Sequence, residues 1–74
     1  MTITYGEIIR QRRKEYGMTQ QELADAACVS RQYICNLEHN NTGYREMVNF
    51  KATLYALGLE IRIVEVDNAT ANDG

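Results

Sequence analysis

The stretch from Thr19 to Glu38, TQQELADAACVSRQYICNLE, constrains the fold more than any other part of the chain. Thr19 stands as an N-cap, Glu22 three residues on closes a capping box, and Met18 with Leu23 takes the positions of a hydrophobic staple. These signals predict a helix from Gln20 to about Ala27. Ser30 repeats the device for a second helix, Arg31 to about His39, with Val29 and Ile34 at the staple positions and Tyr33 where a capping box would hold Glu or Gln. Only Ala27, Cys28 and Val29 remain for the reversal, which is the length of the turn in a helix-turn-helix unit. Leu23, Ala24, Ala27, Val29, Ile34 and Leu37 then close the angle between the helices. Arg31, Gln32, Cys35 and Asn36 are left on the outer face of the second, a set suited to reading base edges.

On these residues, and on the run TQQELA followed by VSRQYICNLE, the chain resembles the lambda-repressor-like helix-turn-helix regulators, the XRE family. The resemblance spans residues 5 to 58, and the C-terminal extension looks most like that of HipB-type antitoxins. One departure is plain: Cys28 occupies a turn position where the family usually has Gly. If that position keeps a positive φ, the side chain costs on the order of 1 kcal/mol. The resemblance implies that Arg13 and Glu38 form a structural ion pair holding the first helix against the recognition helix. It also implies that the loop from His39 to Gly43 runs along the phosphate backbone.

Taken in order, the chain opens with a third start signal: Thr4 as N-cap, Glu7 completing the box, Ile3 and Ile8 as staple. Helix 1 is predicted over Tyr5 to about Tyr16, with Gly17 ending it. Arg10, Arg12, Arg13 and Lys14 form a charge run that also reads as an ordinary solvated helix face. HNNTG, residues 39 to 43, is a polar turn. Asn40, Asn41 and Thr42 are placed to donate to phosphates and Arg45 to add charge, although Asn and Thr are also ordinary turn residues. Thr19, Gln20 and Ser30 sit at helix N-termini, whose free amides suit phosphate oxygens. A fourth helix is predicted from about Arg45 to Leu57, with Met47, Phe50, Leu54 and Leu57 as its core face and Gly58 as its stop.

Beyond it the texture changes. LEIRIVEV, residues 59 to 66, alternates and is rich in β-branched residues, so a strand is predicted. It has no strand partner in its own chain, and an uncovered edge invites pairing. Antiparallel self-pairing across a two-fold axis meets that need, with Leu59, Glu60, Ile61, Arg62, Ile63 and Val64 at the interface. Centring Ile61 on its symmetry mate sets Glu60 opposite Arg62 of the other copy. Residues 67 to 74, small and polar, read as a disordered tail.

At 74 residues the chain makes one domain, and so short a chain buries only about 60% of its unfolded surface. Reinforcement by a second subunit is in keeping with that. The net charge of −2 at first opposes nucleic-acid binding. The charge is unevenly spread: residues 1 to 45 hold six basic and five acidic side chains, residues 46 to 74 two and five. Two cysteines and one His match no metal spacing, and no apolar run reaches membrane-spanning length, so a metal-free, cytoplasmic protein is expected. Cys35 and His39 lie one helical turn apart, but no carboxylate or amide is placed to orient the His, so neither an enzyme nor a cofactor is expected. Oxidation of Cys35 on the outer face would add bulk or charge there, which is a competing reading of that residue as a redox sensor.

The fold expected is therefore mainly α: a four-to-five-helix lambda-repressor-like domain over 1–58, a dimerisation strand over 59–66 and a tail over 67–74. The function expected is that of a homodimeric repressor on palindromic operator DNA. By resemblance to HipB-type proteins it would also be the antitoxin partner of a HipA-like kinase. The competing readings are a stand-alone repressor of phage or restriction-control type and a protein-interaction module that has lost DNA.

Overall fold

The computed structural model describes residues 3–62, 64 and 65. Four α-helices appear: α1 (Tyr5–Glu15), α2 (Gln20–Ala27), α3 (Arg31–Cys35) and α4 (Met47–Ala56). Between α3 and α4 lies a π-helical segment, Asn36–Asn40.

Local chemistry starts and stops each of the first elements. Glu7 N–H donates to Thr4 Oγ1 at 3.2 Å and Thr4 N–H to Glu7 Oε1 at 2.9 Å, so the box on α1 is complete in both directions. The same pair of bonds closes Thr19 and Glu22 at 3.0 and 2.8 Å. Ser30 Oγ accepts from Tyr33 N–H at 3.0 Å, without a reciprocal bond because the Tyr33 hydroxyl lies at Gly43 O. At the end of α2, Cys28 takes φ 60° and ψ 41°, the left-handed conformation. Val29 N–H reaches back to Ala24 O at 3.0 Å, closing the helix. Cys28 is exposed, so nothing in the core compensates the backbone strain.

Apolar faces then set the packing. Ile9, Leu23, Ile34, Leu37 and Leu57 are fully buried, and Ala24, Tyr33, Phe50 and Leu54 complete the cluster. α2 lies against α3 and α4, while α1 lies against the π-helical segment. The approach of α1 is close enough that a Cβ at Gly6 would overlap the carbonyl oxygen of Leu37 and crowd the backbone of Glu38. Gly6 is therefore a contact point, chosen for size.

Three expectations need correction. Helix 4 begins at Met47, not Arg45, because Glu46 has a non-helical ψ of 81° and its N–H closes a turn onto Gly43 O at 3.1 Å. Met47 is 46% exposed and Thr53 is buried in its stead, since spacing defines a helix face but not how far neighbouring helices reach along it. Thr53 Oγ1 donates to Asn49 O at 2.8 Å, which satisfies the buried hydroxyl. The second helix of the motif is α-helical only to Cys35 and continues as the wider π-helical segment, instead of running as one α-helix to His39.

Among the described residues of the expected C-terminal strand, 59–62, 64 and 65 form no strand. A ladder needs a second strand, and none exists among the described residues. Leu59 packs on the core and its N–H donates to Leu54 O at 2.8 Å, whereas Ile61 and Val64 are exposed. Ile63, Val66 and the tail expected over 67–74 lie outside the described residues.

Where α1, α2 and the π-helical segment meet, Arg13 and Glu38 form an ion pair. Arg13 Nε donates to Glu38 Oε2 at 2.6 Å and Nη2 to Oε1 at 2.9 Å, while Nη1 donates to Met18 O at 2.8 Å. Gln20 Nε2 adds a bond to Glu38 Oε1 at 3.2 Å. The Glu38 side chain is wholly withdrawn from solvent and that of Arg13 is 10% exposed. Burial pushes the Glu38 carboxyl upward, but hydrogen bonds from Arg13 and Gln20 and the charges of Arg13 and His39 outweigh it and hold it below the ordinary value of 4.5. Its hydrogen bond to Glu38 raises the Arg13 guanidinium, against the opposing effect of burial.

Removing one member leaves the other charge buried, so Arg13→Ala is expected to cost about 3–5 kcal/mol and to lower the melting temperature by more than about 10 °C. Because the folded chain holds Glu38 ionised where the unfolded chain protonates it, this contribution is present above pH 4.5 and lost as pH falls below it. Acid titration of stability should flatten in Glu38→Gln over that range, and a parallel titration would show that the pair does not govern acid stability. Cys28→Gly relieves left-handed strain and should raise the denaturation midpoint by an amount worth a few tenths to about 1 kcal/mol. A lowered midpoint would show that the side chain is contributing packing.

Candidate nucleic-acid interface

The buried side of α3 and the π-helical segment is occupied by Tyr33, Ile34 and Leu37. That commitment turns the other side outward. Arg31 and Gln32 are exposed on the first turn, and Cys35 and Asn36 are half-buried one turn on. Asn36 Oδ1 accepts from Gln32 Nε2 at 3.0 Å and from Asn40 Nδ2 at 3.3 Å, so three carboxamides form a row along the outer face. Among the described residues, Arg31 and Arg45 have no carboxylate within ion-pair distance.

The loop after the π-helical segment is fixed at several points. Asn41 ends the segment in the left-handed conformation, φ 51°, and its Oδ1 accepts from Gly6 N–H at 3.3 Å. Thr42 N–H donates to Asn36 O at 3.2 Å. Tyr33 Oη donates to Gly43 O at 2.7 Å. Gly43 has φ 93°, and any Cβ there would strike the Tyr33 ring, so this position requires glycine twice over. Burial, and secondarily the charge of Glu46, pushes the Tyr33 phenol up to about 12, so it remains a donor at any ordinary pH. Tyr44 packs on Tyr5 with ring centroids 5.5 Å apart, and the Arg45 guanidinium lies 5.8 Å from the Tyr44 ring. Thr42 and Arg45 are thereby presented on the surface from an ordered loop.

The residues singled out for phosphate divide into two groups. Thr19 and Ser30 spend their side-chain oxygens on capping, Gln20 turns its amide to Glu38, and Asn41 turns its oxygen to α1. Asn40, Thr42 and Arg45 are exposed. Of the residues expected at a dimer interface, Leu59 packs on the core while Ile61 and Val64 are exposed.

Sequence reasoning passed over Gly6, Tyr33 and Tyr44. Tyr33 had been noted only as a missing capping partner; an aromatic ten residues before a turn glycine was the available signal. Nothing in the spacing marks Gly6, whose role depends on a contact across the fold.

No helix among the described residues is long and apolar enough to cross a membrane. A comparison with curated proteins finds no match. Residues 9–43 match a family model described as helix-turn-helix. That stretch runs from the core residue Ile9 in α1 to Gly43 beside the Tyr33 ring, and it is similar to the helix-turn-helix that the family model describes.

Proposed function

We propose that the chain is a sequence-specific repressor that inserts α3 into the major groove of operator DNA. The observation that carries this reading is the outer face of α3, where Arg31, Gln32 and Asn36 project from a helix whose opposite side is buried. Arg at the start of a groove helix suits guanine and Gln suits adenine, with Cys35 available for apolar contact with a thymine methyl. Asn40, Thr42 and Arg45 would lie along the flanking phosphates, which position the helix without reading sequence.

The repressor acts as a homodimer paired through residues 59–64. Supporting this, Ile61 and Val64 are exposed, Ile61 beside Tyr55 of α4, and Val48 and Tyr55 of that helix are 83% and 79% exposed, a large expanse of apolar surface for a lone subunit. The likeness of the C-terminal extension to HipB-type antitoxins extends the reading to a HipA-like kinase as toxin partner and to repression of the chain's own promoter. Co-purification with the product of the adjacent gene tests that extension, and a neighbour unrelated to such kinases favours the stand-alone repressor.

In gel-shift titrations on the promoter of its own gene, Gln32→Ala should weaken binding by about 1–3 kcal/mol and much less on random duplex. Equal loss on both would remove Gln32 from the reading face. Ile61→Pro deletes a ladder donor and should give a species that sediments as a monomer and binds a half-site weakly. A dimer persisting at micromolar concentration would place the interface elsewhere.

A further inference from the structure

Gln32, Asn36 and Asn40 lie four residues apart, and the middle carboxamide is a hub. Asn36 Oδ1 accepts from both neighbours, at 3.0 Å from Gln32 Nε2 and 3.3 Å from Asn40 Nδ2. Its backbone carbonyl also accepts from the N–H groups of Asn41 and Thr42. An amide oxygen has two lone pairs, so Oδ1 is fully used. What Asn36 has left to offer the groove is Nδ2, a donor without an acceptor beside it.

Gln32 is in the opposite position. It has committed one of the two N–H bonds on Nε2 and keeps the other, next to a free Oε1. A donor and an acceptor side by side match N7 and N6 of adenine, whereas guanine presents two acceptors there. The last torsion of a glutamine is ordinarily broad, and its amide can present either edge. Bonding to Asn36 biases that torsion before DNA arrives.

We propose that Asn36 sets the base preference of Gln32: it holds the Gln32 carboxamide in the one orientation that selects adenine, and its own remaining donor group cannot make that selection. Asn36 is thus a positioning residue for specificity. The inference rests on α3 being the DNA-reading helix, and it departs from a reading in which positions 32 and 36 contact bases independently.

The test has a DNA-free arm and a DNA arm. In the free protein, the side-chain amide resonances of Gln32 should shift in Asn36→Ala, with far-ultraviolet circular dichroism confirming the fold. Unmoved resonances would overturn the proposal. In the second arm, duplexes are selected from a randomised library by the wild-type protein. Preference is then measured at the base pair where Gln32→Ala relaxes selection, using guanine and 7-deazaadenine as replacements for adenine. Gln32→Ala should lose about ten-fold or more in preference there. Asn36→Ala should lose a large part of the same preference.

The double variant should show no further loss of preference beyond Gln32→Ala alone, the mark of coupled groups. Asn36→Asp keeps the accepting oxygen and should retain adenine preference, while its charge weakens affinity for all duplexes. Losses that multiply in the double variant, or an Asn36→Asp protein as unselective as Asn36→Ala, would overturn the hub and leave α3 as a DNA reader. A Gln32→Ala protein with unchanged preference at every base pair would overturn the hub and the reading of α3 together.

Discussion

The pairing of Arg13 with Glu38 is the interaction on which the arrangement of the helices depends. It joins α1 to the π-helical segment directly, reaches α2 through Gln20, and ties the connection between α1 and α2 through the Met18 carbonyl. A charge pair removed from water is not a strong source of net stability, because dehydration cancels much of the attraction. Its effect is on geometry. Any docking of α1 that separated the two groups would leave a bare charge in the interior, whereas hydrophobic contacts among Ile9, Leu37 and Leu57 tolerate small slides. With the angle held in this way, the outward direction of Arg31 and Gln32 follows from the placing of Ile34 and Leu37 underneath.

The division of labour along the recognition segment has a simple origin. Tyr33, Ile34 and Leu37 point inward, and Tyr33 carries a second duty by gripping the following loop at Gly43. The loop is therefore positioned by the same residue that helps seat the helix. Groups suited to bases and groups suited to phosphates then sit on one unit, and their relative placement needs no adjustment by a partner. The uneven charge of the chain fits this arrangement, since the excess of acid falls in residues 46 to 74.

Local signals in the sequence were a good guide to local structure. Both capping boxes and the Ser30 cap depend on residues within a few positions of one another, and spacing alone exposes them; the left-handed Cys28 was raised instead by the Gly that XRE regulators usually carry at that position. The Arg13 and Glu38 pairing came from the resemblance to XRE regulators, not from spacing, because 25 positions separate the two residues. Gly6 and Thr53 were illegible for a related reason: one is defined by the backbone of a distant segment and the other by where neighbouring helices end. The row of carboxamides was visible as types but not as bonds, since nothing in the letters says which amide oxygen accepts. The C-terminal strand stands apart, because the hydrogen bonds that define a strand belong to a pair of segments and the single chain supplies one.

The π-helical segment at Asn36–Asn40 has a meaning in terms of chain length. Each bond there spans one residue more than in an α-helix, so the segment contains a surplus residue absorbed into a widened turn. The surplus is therefore carried inside the helix, between Gln32 and Gly43, and not in the exposed loop that follows.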